Sequence, residues 1–185
     1  MSEESQSKPQ AASPAPAAAA AAAKKEPPPP PEPGKIGTLL AKLGLPIEHL
    51  GPEGSGKEQI RIAPENWLQV AEVLKDDSDC QFDLLVSLSA VDWKTHREAV
   101  YHFYSLSHHH WLVVKVKADA EDRIPSVYGI WPAVDWHERE AYDLMGILFD
   151  GHPDLKRILM PTDWEGHPLR KDYVENDPRL VWNRR

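Results

Sequence analysis

Apolar residues recur along this chain with two different spacings, and the switches between them outline a fold. Ile36, Leu39, Leu40 and Leu43 repeat at helical intervals, with Gly44 placed to stop the helix. Ile47–Leu50 and Gln59–Ala63 have the length of short strands, and Ile60 and Ile62 share a face. Trp67, Val70, Ala71 and Leu74 line one side of a second helix. Pro64 suits its first turn, where a backbone N–H is not needed. The period then drops to two. Phe82, Leu84, Val86, Leu88 and Ala90 fall on every second position, the clearest strand in the chain. Val100–Leu106 and Trp111–Ala118 add two more, joined as a hairpin. This order predicts an α+β fold: a two-layer domain with two helices packed on a mixed, mainly antiparallel sheet.

Beyond the sheet the pattern changes. Pro125 is expected to open a short helical piece that ends at Trp131–Pro132, because the residue before a proline disfavours the helical region. Asp135 followed by Glu138 reads as a capping box for the helix Trp136–Met145, and Gly146 fits its end. From Gly151 onward no period persists, although Trp164, Leu169, Tyr173 and Trp182 are large and apolar. Such a segment is expected to lie extended on another surface, that of another subunit. The chain therefore divides into a leader (1–34), an α+β domain (35–150) and an extended partner-binding tail (151–185). The leader holds ten alanines and nine of the 18 prolines, a composition that predicts disorder, with Pro27–Pro31 a short polyproline II rod. Glu3 and Glu4 oppose a secretory signal, and the absence of arginine from the leader opposes a mitochondrial one.

Composition narrows the function. The net charge of -8 argues against nonspecific nucleic-acid binding, which needs a cationic surface. The longest apolar run, Ala17–Ala23, is far short of the ~20 residues that cross a bilayer. Cys80 is the only thiol, so an intrachain disulfide, an iron–sulfur cluster and an all-cysteine zinc site are excluded. With Asp77 and Asp79 beside it, nothing would lower its pKa.

Several motifs invite chemistry and fall short of it. Gly51–Lys57 matches the first seven positions of a P-loop, but Glu58 stands where Ser or Thr must hold magnesium, so a Gly-rich turn is the better reading. His137–Glu138 begins a zinc-protease motif whose second histidine is replaced by Ala141. Glu140 and Asp143 share a helix face, yet beside Arg139 they suit salt bridges or a partner's basic residues better than acid–base work. His108–His110 are expected to form an exposed polar turn rather than a metal site, because consecutive strand side chains diverge. His152 with Pro153 and Gly166–Pro168 form two Gly-His-Pro triplets that stiffen and turn the chain, each histidine bonding to a neighbour. Arg157, Arg170 and Lys171 suit charge-assisted hydrogen bonds to a partner's carboxylates.

Taken together, the segments Trp136–Ile147, Gly151–Leu159 and Asp163–Tyr173 closely resemble the C-type subunit of NADH–quinone oxidoreductase, a peripheral-arm component of respiratory complex I. The strong match covers residues 131–173, and the weaker helix and strand pattern extends it back to about residue 36. The resemblance implies a chain with no redox centre and no catalytic, cofactor or metal residue of its own. Its tail would wrap over neighbouring subunits, especially the one of 49 kDa type that helps to form the quinone site. Flavin mononucleotide, iron–sulfur clusters and quinone would sit in those partners, and the assembly would oxidise NADH, reduce quinone and pump protons. It further implies a peripheral location on the cytoplasmic side of the bacterial inner membrane, reached only through the complex. The interface residues it implies are Glu138, Arg139, Glu140, Asp143, His152, Pro153 and Arg157, then Trp164 and the run Gly166, His167, Pro168, Leu169, Arg170, Lys171, Asp172 and Tyr173. Ending at Arg185 soon after the motif, the chain is expected to be the form unfused to the quinone-site subunit. Related chloroplast and membrane-bound hydrogenase complexes carry equivalent subunits, so the electron donor is less fixed than the family.

Overall fold

In a computed structural model the chain is described over residues 34–51 and 56–174. The leader up to residue 33, the Gly-rich turn at 52–55 and the tail after 174, with Trp182, lie outside the described residues. Helix α1 (Lys35–Lys42) buries Ile36 and Leu40 and ends at Gly44, whose φ of 73° is the left-handed value that glycine adopts freely. Strand β1 (Ile47–His49) pairs antiparallel with β2 (Glu58–Ile62). Helix α2 (Pro64–Asp76) starts on its proline and buries the four residues that helical spacing selects: Trp67, Val70, Ala71 and Leu74.

Strands β3 (Leu84–Asp92), β4 (Arg97–Ser105) and β5 (His110–Lys117) follow as an antiparallel meander. The sheet order is β1-β2-β5-β4-β3, with β2 and β5 parallel and every other pair antiparallel. The expected mixed sheet is therefore present. Trp67 sits at the centre of the core, its ring 4.8 Å from Tyr101 and 6.3 Å from Phe103.

The structure corrects four local expectations. In β3, a bulge between Leu85 and Ser87 inserts a residue and switches the phase of the alternation. Leu85 faces Phe103 and Leu88 faces Tyr101 in the core, while Leu84 and Val86 are 42% and 40% exposed. Pro125 opens no helical piece: it closes a short strand, β6 (Arg123–Pro125), which pairs in parallel with β7 (Leu148–Asp150) as a second sheet. A 3-10 turn at Pro132–Val134 leads into α3 (Asp135–Met145), so the helix needs no capping box and has no side-chain cap. Glu138 points inward instead. Finally, His110 is not part of an exposed turn. It opens β5 edge-on to Phe82, with ring centroids 4.9 Å apart, leaving His108 and His109 to turn the chain.

Because Trp67 is fully buried among aromatic rings, Trp67→Ala should destabilise the domain by about 3–5 kcal/mol. Urea unfolding followed by circular dichroism should show a large drop in midpoint with an unchanged slope.

Candidate functional site: a helix end closed by the chain's own strap

Helix α3 brings together the charged residues of the Glu-Arg-Glu-x-x-Asp run, and the segment after Gly151 folds back onto it. An α-helix leaves its last four carbonyls without intrahelical partners. Here the strap supplies them. The Asp143 carbonyl accepts from Arg157 Nη1 at 3.2 Å and from His167 Nδ1 at 2.9 Å. The Leu144 carbonyl takes the Leu169 N–H at 3.0 Å, and Arg170 Nε donates to Met145 at 2.7 Å. Arg170 Nη2 reaches Gly146 at 3.3 Å. Two guanidinium groups thus lie at the negative end of the helix dipole. Gly146 is required twice over. Its φ is 73°, and a Cβ there would lie 2.2 Å from Arg170 Nη2.

The Asp143 side chain is the second half of the clasp. One oxygen accepts from Arg157 Nη1 at 2.6 Å; the other accepts the N–H groups of Ile158, Leu159 and Met160 at 3.0, 2.7 and 2.8 Å. Burial pushes this carboxyl up, but the three N–H groups and Arg157 outweigh it and hold the group below its usual range. Arg157 also donates to the Gly166 carbonyl, and Arg139 donates to the carbonyls of Lys156 and Arg157. Further along, the Lys171 N–H meets Asp92 Oδ2 at 2.8 Å, where the Lys171 and Lys94 amides hold the carboxyl low.

At the root of the strap the chemistry is different. Glu138 is fully buried and accepts from Ser126 Oγ at 2.6 Å and the Val127 N–H at 3.1 Å. Desolvation dominates and pushes its pKa up to about 7, against those two hydrogen bonds. The His152 side chain is also fully buried, with Nδ1 accepting the Asp154 N–H and Nε2 3.3 Å from Asp135 and 3.9 Å from Glu138.

The residues singled out in the sequence therefore divide. Glu138, Asp143, His152, Arg157, His167 and Arg170 converge on α3 and bond within the chain. Gly166 gives its carbonyl, Leu169 and Lys171 their N–H groups, and Arg139 its guanidinium. Glu140, Pro153 and Asp172 are exposed; Trp164, Pro168 and Tyr173 are half-buried. Glu140 and Asp143 are not an acid–base pair, since Asp143 is committed to the strap. Sequence reading did not find Ser126 and Asp92. Lys171 lies 79 positions from Asp92, and no local pattern links them. Among the described residues, no group of three or more His, Cys, Asp or Glu side chains can hold a metal. Cys80 is buried, and its thiol is pushed up to about 12 by burial first and then by Asp77, Asp79 and Glu58.

Fold and site together define a two-layer α+β domain whose C-terminal strap caps its third helix. The family model for the respiratory-chain NADH dehydrogenase 30 kDa subunit matches residues 60–179. The chain belongs to that family. It is 53% identical over 109 residues to the C-type NADH-quinone oxidoreductase subunit of Mycolicibacterium smegmatis, covering 56% of this chain and 46% of that protein. It is 43% identical over 142 residues to the corresponding NADH-quinone oxidoreductase subunit of Roseiflexus sp., covering 73% and 82%. The chain thus spans about half the length of several curated relatives it matches. Among solved structures, a trypsin-resistant fragment (1-134) of Nqo5 aligns with a TM-score of 0.52 at 27% identity, covering 64% of this chain and 95% of that one. A chain of an archaeal membrane-bound sulfane sulfur reductase shares the fold, with a TM-score of 0.62 at 24% identity over 74% and 82% of the two chains.

Two outcomes follow from the clasp. Asp143→Ala strands Arg157 and three N–H groups, and should weaken strap docking by about 3–5 kcal/mol, breaking a buried pair. Limited proteolysis should then cleave within 151–174 at least about 100-fold faster, with the circular dichroism of the body unchanged. Glu138 has a folded pKa of about 7 against an ordinary 4.5, so the stability of its protonated form is fully present below 4.5 and is lost as pH rises through 7. Relative to the wild type, Glu138→Gln should therefore gain up to ~3 kcal/mol at pH 8 and nothing at pH 4, read from paired denaturant titrations.

Proposed function

We propose that the chain is a non-catalytic structural subunit of the peripheral arm of proton-pumping NADH:quinone oxidoreductase, bracing the quinone-site subunit while electrons pass from NADH to quinone. The observation that carries this reading is the outer face of the strap. Its inner side is committed to α3, while Leu159 and Leu169 project outward at 59% and 57% exposure, beside a run of exposed polar residues. Apolar side chains presented by a segment that is itself fixed are what a subunit interface uses. Family membership supplies the identity of the assembly, and the relatives carry the name of the enzyme. Flavin mononucleotide, iron–sulfur clusters and quinone then belong to partner subunits, consistent with a single cysteine in this chain. No helix among the described residues is long and apolar enough to cross a membrane. In this reading the chain is held on the cytoplasmic side of the bacterial inner membrane through the complex.

A second reading keeps the architecture and changes the donor. The fold is shared with a chain of the sulfane sulfur reductase, so the fold alone leaves the electron donor open.

Affinity capture from gently solubilised native membranes separates these readings. The full chain should recover flavin- and iron–sulfur-bearing subunits, and a chain truncated after Asp150 should recover at most about a tenth as much, a loss of ~1.4 kcal/mol or more. Equal recovery would move the interface to the body. Recovery of hydrogenase or sulfur-reductase subunits would select the second reading, and no respiratory subunit with either chain would overturn both.

A further inference from the structure

All three helices bury their apolar sides in one core, so the opposite face of the five-stranded sheet has no covering layer among the described residues. The strand register identifies that face. Leu84, Tyr104 and Trp111 form a cross-strand row at one end. Val100, Lys115 and Arg61 form another nearer the middle, and Glu98 stands opposite Lys117 at the far end. Val113 also belongs here: it is buried, yet lies outside the core cluster.

Two properties say what would cover it. The first is size. Five strands about 4.8 Å apart, the longer ones eight or nine residues at ~3.3 Å each, give a face of roughly 600 Å². That is comparable with the about 800 Å² per partner of a stable protein–protein interface. The second is charge. Although the whole chain carries -8, this face is cationic. Lys115 and Lys117 meet no carboxylate among the described residues, and Lys57 lies 4.1 Å from the centroid of the Trp111 ring. The two carboxylates of the face, Glu48 and Glu98, are both taken by Arg61, at 3.1 and 2.9 Å. Among the described residues three lysines thus remain without a counter-ion, beside an apolar row in which Leu84 and Trp111 are 42% and 37% exposed. A second copy joined face to face would set these lysines against one another, and a nucleic acid fits less well because Glu48 and Glu98 sit among the cations a phosphate backbone would need.

We propose that the open sheet face is a docking surface, separate from the strap, for a partner polypeptide segment that brings carboxylates to Lys57, Lys115 and Lys117 and apolar side chains to the Leu84–Tyr104–Trp111 row. It stands on the sheet alone and does not depend on what the strap contacts.

The test places the photo-crosslinking residue p-benzoylphenylalanine at Trp111, at Leu84 as a second position, and at Leu169 of the strap, in the full chain within its native complex. Mass spectrometry then identifies the cross-linked peptides. The sheet-face probes should report one polypeptide segment richer in Asp and Glu than in Lys and Arg, carrying apolar side chains. The yield should fall at least about tenfold in the K57E/K115E/K117E variant, whose thermal unfolding is measured in parallel. Cross-links to a second copy, to nucleic acid or to a basic segment would overturn the proposal. So would silence at both sheet positions, whatever the Leu169 probe reports. A report from the sheet with silence at Leu169 would sink the strap reading and leave this one standing.

Discussion

The C-terminal turn of α3 ends in carbonyl oxygens with no partner within the helix, and every one of them is a cost until something donates to it. The strap exists as structure because it meets that demand. It contributes little apolar burial, and no regular element forms between residues 151 and 174. What fixes it is a set of donors, including Arg157, His167, Leu169 and Arg170, matched to four successive carbonyls, together with the Asp143 side chain that draws in three consecutive amides. A strap anchored in this way holds Leu159 and Leu169 facing outward.

How much of this the sequence reveals depends on whether the signal is local. Trp67, Val70, Ala71 and Leu74 mark α2 because helical period and burial coincide, and Gly44 and Gly146 mark helix ends because only a left-handed turn fits there. The β3 face is misread because a bulge is silent in a period of two: a single inserted residue at Val86 moves Leu84 outward and Leu85 inward. The capping-box reading fails for a related reason. The spacing of Asp135 and Glu138 is right, but a preceding 3-10 turn makes the cap unnecessary and frees Glu138 for Ser126 and Val127. For the site, sequence singles out charged residues and gives them partners outside the chain. The structure gives most of them partners inside it. Charge and spacing tell that Asp143 and Arg157 need counter-ions; they do not tell that the two satisfy each other.

Two kinds of polar burial operate on one helix. Asp143 is desolvated but more than compensated, so it stays charged and holds. Glu138, less than two turns earlier, has two donors and a nearby Asp135, so desolvation wins and its proton is poised near neutrality. Burial alone does not decide the state of a carboxylate. The number of donors aimed at it does.

The acceptors of the clasp are backbone groups that acquire their direction only when a helix has been wound and has stopped. The strap follows α3 in the chain, so during synthesis it emerges after the surface it must find. On a body whose third helix is unformed there is no row of carbonyls to receive Arg157, His167 and Arg170. The outward display of Leu159 and Leu169 is thereby conditional: it becomes a mark of a finished domain, legible to any neighbour that binds it.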